Sequence, residues 1–295
     1  MVTVVITTCK REPSIIKRAI NSVVEQTYKE WELVIVDDSP QDWILRNEVK
    51  ETVKSFSKDH RVKYFANESN CGACYSRNIG LKKANGEYIA YLDDDDEWLP
   101  EKLEKQVEAM QKASDEVALV YGPYYEENEE TNGRKTIDVP LLSGFLYEEL
   151  MRQGNFFGGM SMPLMKTQCV IDVGGFDELM PAVQDMDLWL RIAQKYPVTS
   201  IPEPLIIYHV YAGEKISNNP QKKIAGLKRL NEKNNNYLMR NKQVRWRKNT
   251  VLIPYLLQAK EKKEAYRICI DNILLCPLKV KDNILMMIRV FLQYK

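Results

Sequence analysis

The feature that most constrains this chain is a repeated alternation of two periodicities. Short β-branched runs occur at "VTVVITT" (2–8), "WELVIVDD" (31–38), "RVKYFAN" (61–67), "EYIAYLDD" (87–94) and "EVALVYG" (116–122). The first four are each followed by a stretch of helical spacing: "EPSIIKRAINSVVEQ", "DWILRNEVKETVKSFS", "GACYSRNIGLKKAN" and "PEKLEKQVEAMQKA". In the first of these, Ile15, Ile16, Ala19, Ile20, Val23 and Val24 fall on one face, and Pro13 suits the helix start. Strands alternating with helices of this length predict βαβ units around a mostly parallel α/β sheet.

Such a sheet binds ligands at the carboxyl ends of its strands. Two of the predicted strands end in acids, Asp37-Asp38 and the run Asp93, Asp94, Asp95, Asp96, so both clusters fall on one rim. Four carboxylates left to themselves repel and raise one another's pKa. A hard divalent cation, Mg²⁺ or Mn²⁺, relieves that conflict and binds the phosphates of a substrate through one or two carboxylates. The plain alternative is a solvated acidic turn that also starts the helix at Pro100.

Beyond the fifth strand the texture is irregular. Residues 123–140 predict polar loop and a short strand with a turn at 131–133, 143–152 a short helix, and 187–196 a longer one. Proline-interrupted extended segments fill 197–211. From about residue 215 four helix-like stretches follow, the last two able to form a hairpin. The expected organisation is a domain at 1–214, divided into 1–122 and 123–214, and a basic helical region at 215–295.

Net charge is +1, but it is unevenly placed. Residues 214–295 hold 19 Lys and Arg against 6 Asp and Glu, and 1–213 carry a net −12. Such asymmetry fits contact with an anionic membrane surface, and equally an ordinary solvated helical subdomain or a homodimer interface. The cluster "RNKQVRWRK" (240–248) around Trp246 and the apolar "NILMMIRVFLQYK" are the expected points of contact. No nucleic-acid motif is present, so no such partner is expected. The six cysteines are scattered and the lone Cys71-Gly-Ala-Cys74 lacks a second pair, which argues against zinc, redox or disulfide chemistry. With neither a signal peptide nor an apolar run long enough to span a bilayer, a cytoplasmic protein is expected, peripheral at the membrane if the basic region binds there.

The segments "VVITTCKREPSIIKRAINSVVEQTYKEWELVIVDDSP", "NCGACYSRNIGLKKANGEYIAYLDDDDEW" and "VGGFDE…QDMDLWLRI" together resemble the family-2 inverting glycosyltransferases of GT-A fold, over roughly 1–212. The resemblance implies a nucleotide-sugar donor, most often a UDP-sugar, a glycan or lipid-linked acceptor, and bacterial cell-surface polysaccharide synthesis. It gives Asp93, Asp94 and Asp95 the place of the DXD motif, with Asp95 on the metal and the other two near the ribose and the metal's water shell. Asp38 takes the place of the carboxylate that accepts from the base, and Thr7 lines the same pocket. Asp37 is left to an Asx-turn or helix cap.

Arg77, in "SRNIG", either contacts base or phosphate or braces the acidic rim, and a purely structural ion pair stays open. Asp185 takes the place of the catalytic base, which removes the acceptor's proton in an inverting displacement. Gln184 stands where relatives often have glutamate. Gly158, Gly159, Asp177 and Trp189 fall to the acceptor side, with core packing as the alternative for Trp189. His209 is displaced two places from the family's usual histidine, so metal or diphosphate contact competes with a locally satisfied imidazole. "GEKIS" (213–217) fits a loop closing over the nucleotide. Two rival functions remain, a nucleotide-sugar or metal binder without turnover and a nucleotidyltransferase.

Overall fold

Why the strands stack as they do follows from their composition. β1 (Val2–Thr8) and β2 (Trp31–Asp37) are buried along nearly their whole length, the signature of central parallel strands covered on both faces. α1 (Pro13–Val24) joins them and buries Ile16, Ala19, Ile20 and Val23, each isoleucine contributing roughly 1.5–3 kcal/mol. α2 (Arg46–Phe56) leads to β3 (Val62–Ala66), and α3 (Ala73–Lys83) to β4 (Tyr88–Asp93). α3 lies so close on the sheet that a Cβ at Gly80 would stand 2.3 Å from Val5 Cγ1, so only glycine fits there.

The computed structural model describes residues 1–131, 133–210 and 219–292. After β4 come β5 (Glu97–Trp98), α4 (Lys102–Lys112), β6 (Leu119–Tyr121), β7 (Tyr124–Asn128), β8 (Gly133–Ile137), α5 (Tyr147–Gln153), β9 (Leu164–Lys166), α6 (Thr167–Asp172), α7 (Gln184–Lys195), β10 (Val198–Ser200) and β11 (Ile206–Val210). The large sheet has seven strands in the order β10-β6-β9-β4-β1-β2-β3. All its pairings are parallel except those of β9, which runs antiparallel between β4 and β6. The expected mostly parallel α/β sheet is therefore present. Its order places the switch point between β1 and β4, since the chain builds outward to β3 and then returns to the other side of β1.

Several sequence expectations need correction. Residues 123–140 are not polar loop with one short strand. They supply β7 and β8 to a second sheet of order β5-β11-β7-β8, which short polar strands do not announce. The second helix starts at Arg46 rather than near Asp42, after turns through the preceding segment. The turn at 131–133 and the boundary near 215 involve Asn132 and residues 211–218, which lie outside the described residues.

The chain forms two compact units. One runs through Met1–Glu178 and resumes at Leu188; the other holds Leu179–Asp187 and the C-terminal helices. The C-terminal helices of the second unit are α8 (Pro220–Lys233), α9 (Asn235–Arg240), α10 (Lys242–Gln258), α11 (Lys262–Leu275) and α12 (Val280–Leu292). Its core gathers Trp246, Leu252, Leu256, Ala265, Met286 and Val290. Trp246 is thus an interior residue, its indole N–H donating to Asn283 Oδ1 at 2.9 Å, and not the centre of a surface cluster. α11 packs on α12 as the expected hairpin. Among the described residues no helix is long and apolar enough to cross a membrane, and all six cysteines are free.

Candidate active site

The carboxyl ends of β1 and β4 meet at the switch point, and register does the positioning. Thr7 is the Cα partner of Asp93 on β4 and of Val36 on β2, so the predicted base-pocket threonine and the acidic run share one rim. After Asp93 the chain turns at once, with Asp96 N–H donating to Asp93 O at 3.1 Å. The acids therefore crowd into a single turn before β5.

Three arginines hold that turn. Arg11 Nη2 lies 2.7 Å from Asp94 Oδ1 and 3.1 Å from Asp95 Oδ2, and its Nε donates to Asp94 Oδ1 at 2.9 Å. Arg77 Nη2 donates to Asp93 Oδ1 at 2.9 Å, and its guanidinium also lies 5.6 Å from the Phe176 ring. Arg77 thus braces the acidic rim. Arg18 donates to the Asp95 carbonyl at 2.9 Å and to Glu129 Oε1 at 2.6 Å. Burial pushes the Asp94 carboxyl up to about 6 even though Arg11 pulls it down, so it is short of stabilising charge.

Asp96 is more deeply placed. Burial, then its acidic neighbours Asp93 and Asp95, raise its pKa well above the carboxylate range. Ser161 Oγ donates to Asp96 Oδ2 and accepts from Asp93 N–H at 3.0 Å. Asp96 is a brace inside the turn, tied by Ser161 to the segment before β9.

Asp38 and Asp37 divide their work. Asp37 takes the Asx-turn, accepting from Ser39 N–H at 2.8 Å and from Tyr64 OH at 2.7 Å. Asp38 accepts from Asn67 Nδ2 at 2.7 Å and from the Cys71 and Gly72 amides, both at 2.8 Å. These bonds fix the entry to α3. They occupy Oδ1 twice and Oδ2 once, which leaves an acceptor position on Oδ2.

His209 is buried, with Nε2 3.4 Å from Glu97 Oε2 and Nδ1 3.3 Å from Glu129 Oε1. Nε2 shares a hydrogen bond with Glu97 of β5, whereas Nδ1, beside Glu129 just past β7, has no hydrogen-bond partner among the described residues, so the ring is satisfied on one side only. The loop expected at 213–217 and Tyr211 lie outside the described residues.

On the expected acceptor side, Gly158 has φ +83, a conformation that favours glycine. Its carbonyl accepts from Trp189 Nε1 at 3.1 Å. Trp189 itself is fully buried beside Phe157 and has no face to offer a sugar. It is a core residue that fixes the Gly158 bend, which corrects its assignment to the acceptor side. Gly159 and Asp177 are half-buried. Asn78 holds the segment before Asp177, exchanging bonds of 2.8 and 2.9 Å with the Phe176 backbone.

Asp185 and Gln184 open α7 and belong to the second unit. Val183, just before them, has φ +54, which is strained for a β-branched residue. Asp185 Oδ1 accepts from Met186 N–H at 2.8 Å, and Gln184 Nε2 donates to Met180 O at 3.1 Å. Asp187 pairs with Lys233.

Arg11, Arg18, Ser161 and Asn78 went unnoticed in the sequence. Their partners are 65 to 111 residues distant, and nothing local marks Arg11, Arg18 or Ser161.

The donor set fits a hard cation. Oxygens of Asp94 and Asp95 already converge on one positive centre, the Arg11 guanidinium. Among the described residues no three His, Cys, Asp or Glu side chains group to hold a metal, so an ion here would complete its shell from phosphate and water.

Residues 3–172 match the family model described as Glycosyl transferase family 2. An uncharacterised glycosyltransferase of Rickettsia conorii is 31% identical over 221 residues, covering 68% of this chain and 33% of that protein, so the chain spans about a third of that relative's length. The UDP-Glc:alpha-D-GlcNAc-diphosphoundecaprenol beta-1,3-glucosyltransferase WfgD of Escherichia coli is 41% identical over 109 residues, 37% of this chain and 40% of WfgD. In fold, the chain is similar to the mannosyltransferase PcManGT of Pyrobaculum calidifontis, solved with GDP-Man and Mn²⁺, at a TM-score of 0.57 and 18% identity, covering 77% of this chain and 63% of that one.

Proposed function

The chain belongs to glycosyl transferase family 2, and on that footing we propose that it moves a sugar, with inversion, from a UDP-sugar to a hydroxyl of a glycan or lipid-linked acceptor in cell-surface polysaccharide synthesis. The observation that carries this reading is the arginine-braced acidic turn at the sheet's switch point. WfgD, named for a UDP-glucose donor and a diphosphoundecaprenol acceptor, supports the choice of donor and acceptor. The PcManGT complex with Mn²⁺ supports a divalent cation.

Asp38 receives the base N–H on its remaining Oδ2 position, and Thr7 lines that pocket. Asp93 and Asp94 face the ribose and the water shell, and Asp95 holds Mn²⁺ or Mg²⁺. A cation held there would supply Lewis-acid stabilisation of a diphosphate leaving group. Arg77 keeps Asp93 in place. Asp185 takes the proton of the acceptor hydroxyl, and the strained backbone at Val183 supports a functional role for this helix start. Gln184, Gly158, Gly159 and Asp177 shape the acceptor side.

Asp185→Asn tests the assignment. With a panel of UDP-sugars and Mn²⁺, transfer should fall by about 10²–10⁴-fold while UDP binding, read by calorimetry, is unchanged. Full activity in the variant would remove Asp185 as the base. Release of pyrophosphate in place of a nucleoside diphosphate would assign a nucleotidyltransferase, and binding without turnover an inactive binder.

A lipid-linked acceptor requires reaching a membrane, and the second unit offers a surface for it. Leu278, 95% exposed, lies in the turn between α11 and α12, and Leu274, 75% exposed, in the last turn of α11. Val280, Ile284, Leu285 and Ile288 continue the exposed apolar face along α12. With the basic excess of residues 214–295, this fits a peripheral, cytoplasmic-face contact with anionic lipid. Full-length protein should float with phosphatidylglycerol vesicles, and Leu278→Glu should abolish flotation. A dimer in light scattering that Leu278→Glu disrupts, with no flotation, would assign the face to a second copy.

A further inference from the structure

We propose that Arg11 is a tethered counter-ion that covers the Asp94–Asp95 pair while the site is empty, so that cation and nucleotide enter together and not cation first. This rests on the reading of Asp95 as the metal ligand. The guanidinium makes three short contacts to the two carboxylates, at 2.7, 2.9 and 3.1 Å, and a cation on Asp95, with its water shell on Asp94, would need the place that the guanidinium fills. One positive charge must leave before another can take its place.

The geometry separates Arg11 from the two other arginines. Arg77 bonds Asp93, and Arg18 binds the Asp95 carbonyl and Glu129. Withdrawal of Arg11 would remove these three contacts from the Asp94 and Asp95 oxygens and leave the contacts of Arg77 and Arg18 in place. Arg11 also lies on the open side: its side chain is 23% exposed, against 7% for Asp94. A guanidinium there can swing outward, whereas Asp94 cannot follow it.

The loop that presents Arg11 is built for the task. Lys10 has φ +53, a left-handed conformation uncommon for a non-glycine residue. Its amide donates to Ser39 Oγ at 3.0 Å, which ties the loop to the end of β2 beside Asp38. Such strain persists where the surroundings over-determine it. Here it aims the next side chain across the acidic turn.

Two states follow. Without nucleotide, Arg11 and a cation compete for Asp95 and the space beside Asp94, and the apparent cation affinity is lowered by the strength of the pairing. With nucleotide, the diphosphate offers the displaced guanidinium new oxygens, which a planar fork binds well. Arg11 then changes from competitor to donor ligand, and nucleotide and cation each tighten the other's binding.

The test is Mn²⁺ binding to the full chain, read by the electron paramagnetic resonance of free Mn²⁺, with and without UDP. Arg11→Ala should bind Mn²⁺ alone about tenfold more tightly than the wild type, equivalent to about 1.4 kcal/mol. UDP should strengthen Mn²⁺ binding markedly in the wild type and much less in Arg11→Ala. Arg11→Lys, which keeps a charge but loses the fork, should fall between. Asp95→Asn should abolish binding in each background. If Arg11→Ala and Arg11→Lys bind Mn²⁺ no better than the wild type while Asp95→Asn still abolishes binding, the counter-ion role is wrong and the metal assignment stands. If no variant binds Mn²⁺ even with UDP, or Asp95→Asn binds as the wild type does, both fall. Thermal denaturation of each variant shows that it is folded.

Discussion

Glu32, near the amino end of β2, and Asp94, just past the carboxyl end of β4, are each 5% exposed, yet the protein treats them in opposite ways. Glu32 is surrounded by donors: Thr3 Oγ1 and Lys63 Nζ at 2.7 Å, Asn85 N–H at 2.8 Å and Asn85 Nδ2 at 3.0 Å. Burial alone would raise its carboxyl, but these donors outweigh burial and hold it at about 2. Asp94 lacks such a cage, and burial carries it up to about 6 against the pull of Arg11. One rim of the sheet is finished for stability. The other is left short of positive charge, and that shortage is what a ligand can relieve.

The contrast breaks first at Glu32. Glu32→Ala should lower unfolding free energy by roughly 3 kcal/mol, since it strands buried donors, as measured by urea unfolding at pH 7.5. A loss under 1 kcal/mol would mean the cage is ornamental. The pH dependence gives the same answer. Glu32's folded pKa of about 2 lies below its ordinary 4.5, so its stabilisation is complete above 4.5 and is lost as pH falls toward 2. That loss is about 3 kcal/mol in the wild type and should be missing in Glu32→Ala.

Asp94 should give the smaller effect with the opposite sign. Its folded pKa of about 6 lies above the ordinary 3.8. Its contribution is therefore greatest below 3.8 and is lost as pH rises through 6. Asp94→Asn imitates the protonated form and should raise stability at pH 7.5 by about 1 kcal/mol, flatten the slope between pH 4 and 6, and weaken metal-dependent UDP binding. A variant less stable than the wild type would show that the Arg11 pair outweighs the burial of the charge.

The first half of the fold was legible because its leading elements, β1, α1 and β2, are strongly patterned. β1 and β2 are apolar throughout, and α1 buries Ile16, Ala19, Ile20 and Val23 as its spacing predicts. The acidic clusters were legible because charge directly after a buried strand is conspicuous. The second sheet was not, because β5 has 2 residues and β7 and β8 are polar. Trp189 and Trp246 show a different limit. An aromatic residue beside charged neighbours suits a surface or a core equally well, and only Phe157 and Asn283, distant in sequence, decide the matter. Arg11 was hidden for the same reason, since its partners Asp94 and Asp95 lie 83 and 84 residues further on.

The antiparallel wedge β9 has a consequence for how the molecule comes into being. β1 to β4 can assemble from successive crossovers as soon as they leave the ribosome. β9 must instead insert between β4 and β6 from far along the chain, and Ser161, which secures Asp93 and Asp96, arrives only with it. Contacts between residues so far apart in sequence form slowly. A nascent chain that ends before residue 161 can therefore possess strands β1 to β4 and all four acids while still lacking the hydroxyl that locks their turn, so the acidic turn is completed late, after much of the scaffold.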